Sequence, residues 1–125
     1  MEAEEIKKTI TQNYVHGAFN ETDIQAFKTV FHPEFAIINI QEDGKFFLFS
    51  RPMWEEVLKK RKEDPDFNYA TIALVPEFKS IEVVEGKASV VVELLRDGKV
   101  IYTDFLLLVK IAKEWKIVSK IFNQY

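Results

Sequence analysis

The stretch from Ser80 to Phe122 constrains the fold more than any other part of the chain. It reads as long consecutive strands, Ile81 to Arg96, Val100 to Ile111 and Trp115 to Phe122, punctuated by Glu85-Gly86, Asp97-Gly98 and Ala112-Lys113-Glu114. Asp-Gly between two alternating apolar runs is a strong hairpin signal, because both central residues of a type I′ turn need positive φ. A two-residue loop there pairs Arg96 with Lys99, and so sets Val92 opposite Thr103, Val90 opposite Phe105 and Ala88 opposite Leu107. Because strand side chains alternate, that register sorts every residue onto one of two faces.

At 125 residues the chain is expected to be one domain, residues 1 to 125, with room for a single core. Hydrophobic residues make up 47%, charged ones 30%, and the formal charge is -3, an ordinary globular profile that gives nucleic acid nothing to hold. The one basic cluster, Lys59-Lys60-Arg61-Lys62, runs straight into Glu63-Asp64 and reads as a solvated helix end. With no cysteine, thiolate-metal and disulfide chemistry are excluded. Met1 to Lys8 is charged where a signal peptide would be apolar, and no run approaches ~18 apolar residues. The expectation is a cytoplasmic protein with no membrane span.

Helices come first and strands last. Ile6, Ile10, Tyr14 and Gly17 recur at helical spacing and predict a helix from about Ala3 to Phe19. Thr22 or Asp23 can cap a second, marked by Ile24, Phe27, Val30 and Phe31 and stopped by His32-Pro33, since proline disfavours helical geometry before it. Phe35 to Ile40 and Lys45 to Phe49 form a hairpin around Glu42-Asp43-Gly44. Ser50 caps a third helix, Arg51 to Lys62, in which Pro52 is tolerated in the first turn. After a turn at Asp64-Pro65-Asp66, the main sheet is expected to begin near Phe67 to Leu74, with Pro76 marking an edge or bulge.

The segments Tyr14-Val15-His16-Gly17-Ala18-Phe19-Asn20, Phe31-His32-Pro33-Glu34-Phe35, Ser50-Arg51 with Trp54, and Trp115-Lys116-Ile117-Val118-Ser119-Lys120 occur in an order and spacing that resemble the NTF2-like superfamily. More narrowly, the chain is similar to the small bacterial proteins labelled putative lumazine-binding, of the SnoaL-like cone type. The resemblance covers nearly the whole chain. It implies an α+β cone, in which a curved antiparallel sheet wraps a long N-terminal helix and two further helices. It also implies a pocket between sheet and helix, and a homodimer through the outer sheet face. Function does not follow from such a fold, which hosts isomerases, dehydratases, cyclases and transport factors.

On the inferred register the inward face carries Val90, Val92, Phe105, Leu107, Trp115 and Ile117. Thr103 and Ser119 are its polar members, either as pocket groups or satisfying their own backbone. The outward face carries Glu93, Tyr102, Asp104, Leu106, Lys120 and Phe122, and with Leu108 and Val118 it is too apolar for open water, so a partner copy is expected to cover it. Asp104 falls diagonal to Glu93 and Lys120. As an inward group it would be a catalytic acid or base; facing outward, it is instead an interface residue paired with Lys120. A loop of two or four residues after Ile111, in place of three, would turn Lys120 inward.

Catalytic constellations are thin. His16 and His32 have no metal spacing, so no metal or cofactor is expected. His32 reads as a helix-ending loop residue, and His16 as either a packing residue or a base at the pocket mouth. The isomerase branch of the superfamily needs a phenol, a carboxylate base and a protonated acid. Tyr14 matches the phenol, but the other two places fall at Asn39 and Leu107. The dehydratase branch uses histidine with aspartate, and no such pair can be placed. Eleven Phe, four Tyr and two Trp either line a cavity for a flat ligand or fill the cone.

The sequence thus points to a homodimer that binds a small apolar or aromatic molecule, with Tyr14, His16, Trp54, Thr103, Trp115 and Ser119 at the pocket. The alternatives are an enzyme using Tyr14 and His16 for acid/base chemistry on a ring ketone, and a dimerisation module with a filled cone.

Overall fold

The computed structural model describes Met1–Tyr125. Helix α1 (Glu2–Thr9) runs on without a break into a π-helical stretch (Ile10–Asn20), where the bonding widens to i→i+5, as in Glu21 N–H donating to His16 O at 3.0 Å. Its buried side, Ile6, Ile10, Tyr14, Val15 and Ala18, follows the apolar spacing in the sequence. Helix α2 (Ile24–Val30) is capped by Asp23, whose carboxylate accepts from Ala26 N–H. Gly17 lets α2 approach closely: a Cβ there would sit 2.6 Å from Ala26 Cβ and 2.8 Å from Gln12 O.

Six strands form one open sheet in the order β2-β1-β6-β5-β4-β3. They are β1 (Phe31–Ile40), β2 (Phe46–Ser50), β3 (Val75–Val84), β4 (Lys87–Arg96), β5 (Lys99–Ile111) and β6 (Glu114–Gln124). Helix α3 (Arg51–Glu63) joins β2 to β3, with Ser50 as its cap. Residues Phe67 to Leu74 do not begin the sheet as expected; they hold a 3₁₀ turn at Tyr69–Thr71 capped by Asn68. The strand starts at Val75, and Pro76 is tolerated because β3 is an edge. Asn20 ties the end of the first helix to this point, donating to Leu74 O at 2.8 Å and accepting from Leu74 N–H at 2.9 Å.

The hairpin signals at Glu85-Gly86 and Asp97-Gly98 set their turns, whereas the loop after Ile111 holds two residues, Ala112-Lys113, and not the expected three, because Glu114 already pairs with Ile111. Glu85-Gly86, Asp97-Gly98 and Ala112-Lys113 are all two-residue loops with both residues at positive φ, the type I′ requirement. Arg96 pairs with Lys99 as the Asp-Gly loop demands.

Beyond that pair the register departs from expectation. Leu95 pairs with Val100 but Leu94 pairs with Tyr102, so Ile101 is an extra residue without a partner on β4. This β-bulge turns the rest of β5 over: Val92 lies opposite Asp104, Val90 opposite Leu106 and Ala88 opposite Leu108. A second bulge on β6 leaves Val118 unpaired, between Leu108 opposite Ile117 and Leu107 opposite Ser119. The two-residue loop at Ala112-Lys113 and the turned β5 together keep Trp115 and Ile117 inside, and the second bulge then brings Lys120 inside as well. The expectation that Asp104, Leu106 and Lys120 face outward is therefore corrected. All three are buried, while Phe105, Leu107 and Ile121 are exposed. A bulge adds one residue and reverses alternation, and no residue type in Ile101 or Val118 announces it.

The core of twenty buried residues lies between the first helix, α2 and the inner sheet face. Each large apolar side chain buried there contributes roughly 1.5 to 3 kcal/mol.

Candidate functional site

Three polar side chains from distant parts of the chain meet inside this core. Tyr14 comes from the π-helical stretch, Asp104 from β5 and Lys120 from β6. The Tyr14 hydroxyl donates to Asp104 Oδ2 at 2.5 Å, the Lys120 ammonium donates to the Tyr14 oxygen at 2.6 Å, and Lys120 Nζ lies 3.2 Å from Asp104 Oδ2. Asp104 is fully buried and Tyr14 nearly so.

Aromatic rings wall the cluster. Lys120 Nζ lies 5.0 to 5.3 Å from the ring centroids of Phe122, Tyr14 and Trp54, within cation–π range. Trp54 packs on Phe27, Phe31 and Phe35 at centroid distances of 5.3, 4.9 and 5.9 Å. It projects from the first turns of α3 and is only half-buried, whereas Phe27, Phe31 and Phe35 are fully buried.

Burial acts on both titrating partners of Asp104. It lifts the Tyr14 phenol well above its ordinary value, helped by the negative charge of Asp104 and the hydrogen bond to it. It pulls the Lys120 ammonium below its usual value, with Asp104 opposing the shift. An ion pair taken this far out of water costs several kcal/mol per ion before its own attraction is counted. Asp104 Oδ1 adds to that cost, because it is buried and accepts no hydrogen bond. On the donor side, Lys120 has three N–H groups and two neighbouring oxygens, which leaves one N–H free. The cluster thus offers one acceptor and one donor between flat apolar walls.

The interior is closed around it. Tyr14, Asp104 and Lys120 keep only 1%, 0% and 7% of their surface exposed.

The other expected pocket residues scatter. Trp115 is buried at the far end of the core beside Lys110, with its indole N–H unpartnered. His16 is exposed, in a groove with Gln12, Pro76 and Phe78, and is not beside Tyr14. Thr103 and Ser119 stand on the outer face because of the bulges: Thr103 shares a hydrogen bond with Tyr125 at 2.9 Å, and Ser119 lines an outer hollow. Of the expected interface residues, Tyr102 and Phe122 pack edge to face at 5.9 Å on the inner side, and Glu93 remains outside near Lys79. The outer face that results is apolar, and a hollow of about 470 Å³ lies among Ile38, Val91, Phe105, Leu107 and Ile121. Reading the sequence missed Asp104 and Lys120 as interior groups. Their types and diagonal spacing were visible, but not the face.

No three His, Asp or Glu side chains gather as metal ligands, and no helix is long and apolar enough to cross a membrane.

Comparison with solved structures shows the fold. An NTF2-like protein of unknown function from Silicibacter pomeroyi superposes with a TM-score of 0.74 at 20% identity, covering 99% of this chain and 96% of that one. One from Shewanella baltica gives 0.75 at 20% identity, covering 99% and 94%. The CaMKII hub of S. rosetta gives 0.65 at 15% identity, covering 98% and 95%. No curated protein sequence matches. The family model described as putative lumazine-binding matches residues 1–123, and the chain belongs to that family, on an NTF2-like α+β fold.

Proposed function

We propose that this chain is a homodimeric small-molecule-binding protein whose ligand is held in the cone by Tyr14, Asp104 and Lys120. The observation that carries the reading is Asp104 Oδ1, a fully buried carboxylate oxygen without a partner beside an ammonium with a spare N–H. A flat ring whose edge carries N–H next to C=O satisfies both at once, the N–H donating to Oδ1 and the carbonyl accepting from Lys120. The pteridine-dione ring implied by the family description has such an edge. Trp54, half-buried at the start of α3, is the wall that must swing to admit it. Formation of the dimer rests on the exposed apolar outer face of β1, β4, β5 and β6, which a second copy would cover.

A second reading has one observation in its favour: the closed interior fits a dimerisation module with a filled cone. The thermal midpoint with lumazine separates the two. Binding predicts a midpoint that rises with concentration, by about 2.7 kcal/mol of stability at a hundred times Kd, and a response lost in Asp104→Asn. Absence of any rise with lumazine or uracil at millimolar concentration supports the filled module.

A further inference from the structure

Where the start of β1 meets α2, α3 and β6, four basic side chains converge on a cleft of about 410 Å³ away from the cone interior: Lys28, His32, Arg51 and Lys116. Its other lining residues are Phe31, Pro33 and Ile111, and no carboxylate is among them. With His32 neutral, the lining carries three positive charges, in a chain whose net charge is -3.

The donors are held in place by the fold. Arg51 Nη1 donates to Phe31 O at 2.8 Å, which fixes the guanidinium while its remaining N–H groups face no carboxylate within ion-pair distance. Lys116 Nζ donates to Thr29 O at 2.6 Å. His32 Nδ1 accepts from Glu34 N–H at 3.0 Å, so Nε2 carries the proton and is a donor. Two carboxylates stand behind the cleft: Glu55 is 3.8 Å from Lys28, and Glu114 is 3.4 Å from Lys116. Neither forms an ion pair with Arg51 or His32, although Arg51, after Lys59 and Lys28, is among the cations that hold the Glu55 carboxyl below its ordinary value.

A fixed guanidinium fork, two ammonium groups and an imidazole N–H match the several oxygens of a doubly charged phosphate better than a single carboxylate. The apolar wall of Phe31, Pro33 and Ile111 suits an organic group attached to it. We propose that this cleft binds the phosphate of a small organic phosphomonoester.

The test is titration of the ¹⁵N-labelled full chain with phenyl phosphate, inorganic phosphate and benzoate, at fixed ionic strength. The expected result is saturable shifts confined to amides around residues 28–33, 51–53 and 111–116. Binding should be tightest for phenyl phosphate and weakest for benzoate. Lys28 makes no backbone hydrogen bond through its side chain and its one ion pair, with Glu55, is long at 3.8 Å, so Lys28→Glu should keep the fold and weaken phenyl phosphate binding about tenfold. Lys62→Glu, about 16 Å further along α3, should leave it unchanged. Equal affinity for inorganic and phenyl phosphate overturns the organic part and leaves the free ion as the occupant. Shifts that do not saturate, or equal weakening by Lys62→Glu, overturn the site.

Discussion

Lys120 Nζ lies 2.6 Å from the phenolic oxygen of Tyr14, across the depth of the cone from β6 to the first helix, and both meet the same oxygen of Asp104. Removing one partner strands the others. Lys120→Met leaves a buried carboxylate without its cation and should cost about 3 to 5 kcal/mol in urea unfolding, as should Asp104→Leu for the converse reason. The double variant removes both charges and should recover most of the loss. Additive losses in the double variant would show that the two residues are not coupled.

Tyr14 gives a prediction in alkali. Its folded-state pKa is raised, so above about pH 10 the unfolded chain loses a proton that the folded chain keeps. The phenol's contribution to stability is therefore complete below that pH and is lost as pH climbs toward the folded value. Spectrophotometric titration of wild type against Tyr14→Phe should show the Tyr14 phenolate appearing only with unfolding. A Tyr14 step in the folded protein at the pH of a free phenol would contradict the buried hydrogen bond.

Gly17 is tested by one methyl group. In Gly17→Ala the added Cβ meets Ala26 Cβ and Gln12 O closer than real contacts allow, and α2 has to move. The expected loss is about 1 to 3 kcal/mol in thermal or chemical unfolding. A neutral result would mean that the two helices pack less closely than a 2.6 Å approach to Ala26 Cβ implies.

The outer face makes a prediction about assembly. Leu107 is 53% exposed among Phe105, Ile121 and Ile38, so Leu107→Glu places a charge in the middle of the apolar surface. Sedimentation should show a dimer for wild type at micromolar concentration and a monomer for Leu107→Glu. A monomeric wild type would rule out the dimer.

Much of this architecture is legible in the residues. Apolar spacing at Ile6, Ile10 and Tyr14, the caps at Asp23 and Ser50, and the Asp97-Gly98 turn are local chemistry, and each lies where local rules put it. The facing of Asp104 is not local. It depends on whether the chain between Asp97-Gly98 and Asp104 holds an extra residue, and Ile101 fits a paired or a bulged position equally well. The same holds for Val118 and Lys120. The facing shows only in the folded sheet, where the two bulges bring Asp104 and Lys120 to the Tyr14 phenol. The diagonal relation of Asp104 to Lys120 was therefore readable, while the side of the sheet on which they meet was not.

The most direct measurement follows the indole N–H resonance of Trp54 in Trp115→Phe, which leaves one tryptophan of two, during titration with lumazine. A saturable shift at one ligand per chain is expected, lost in Asp104→Asn and weakened in Tyr14→Phe. An unmoved Trp54 signal, or a shift that survives in Asp104→Asn, would rule out binding at the Tyr14, Asp104 and Lys120 cluster.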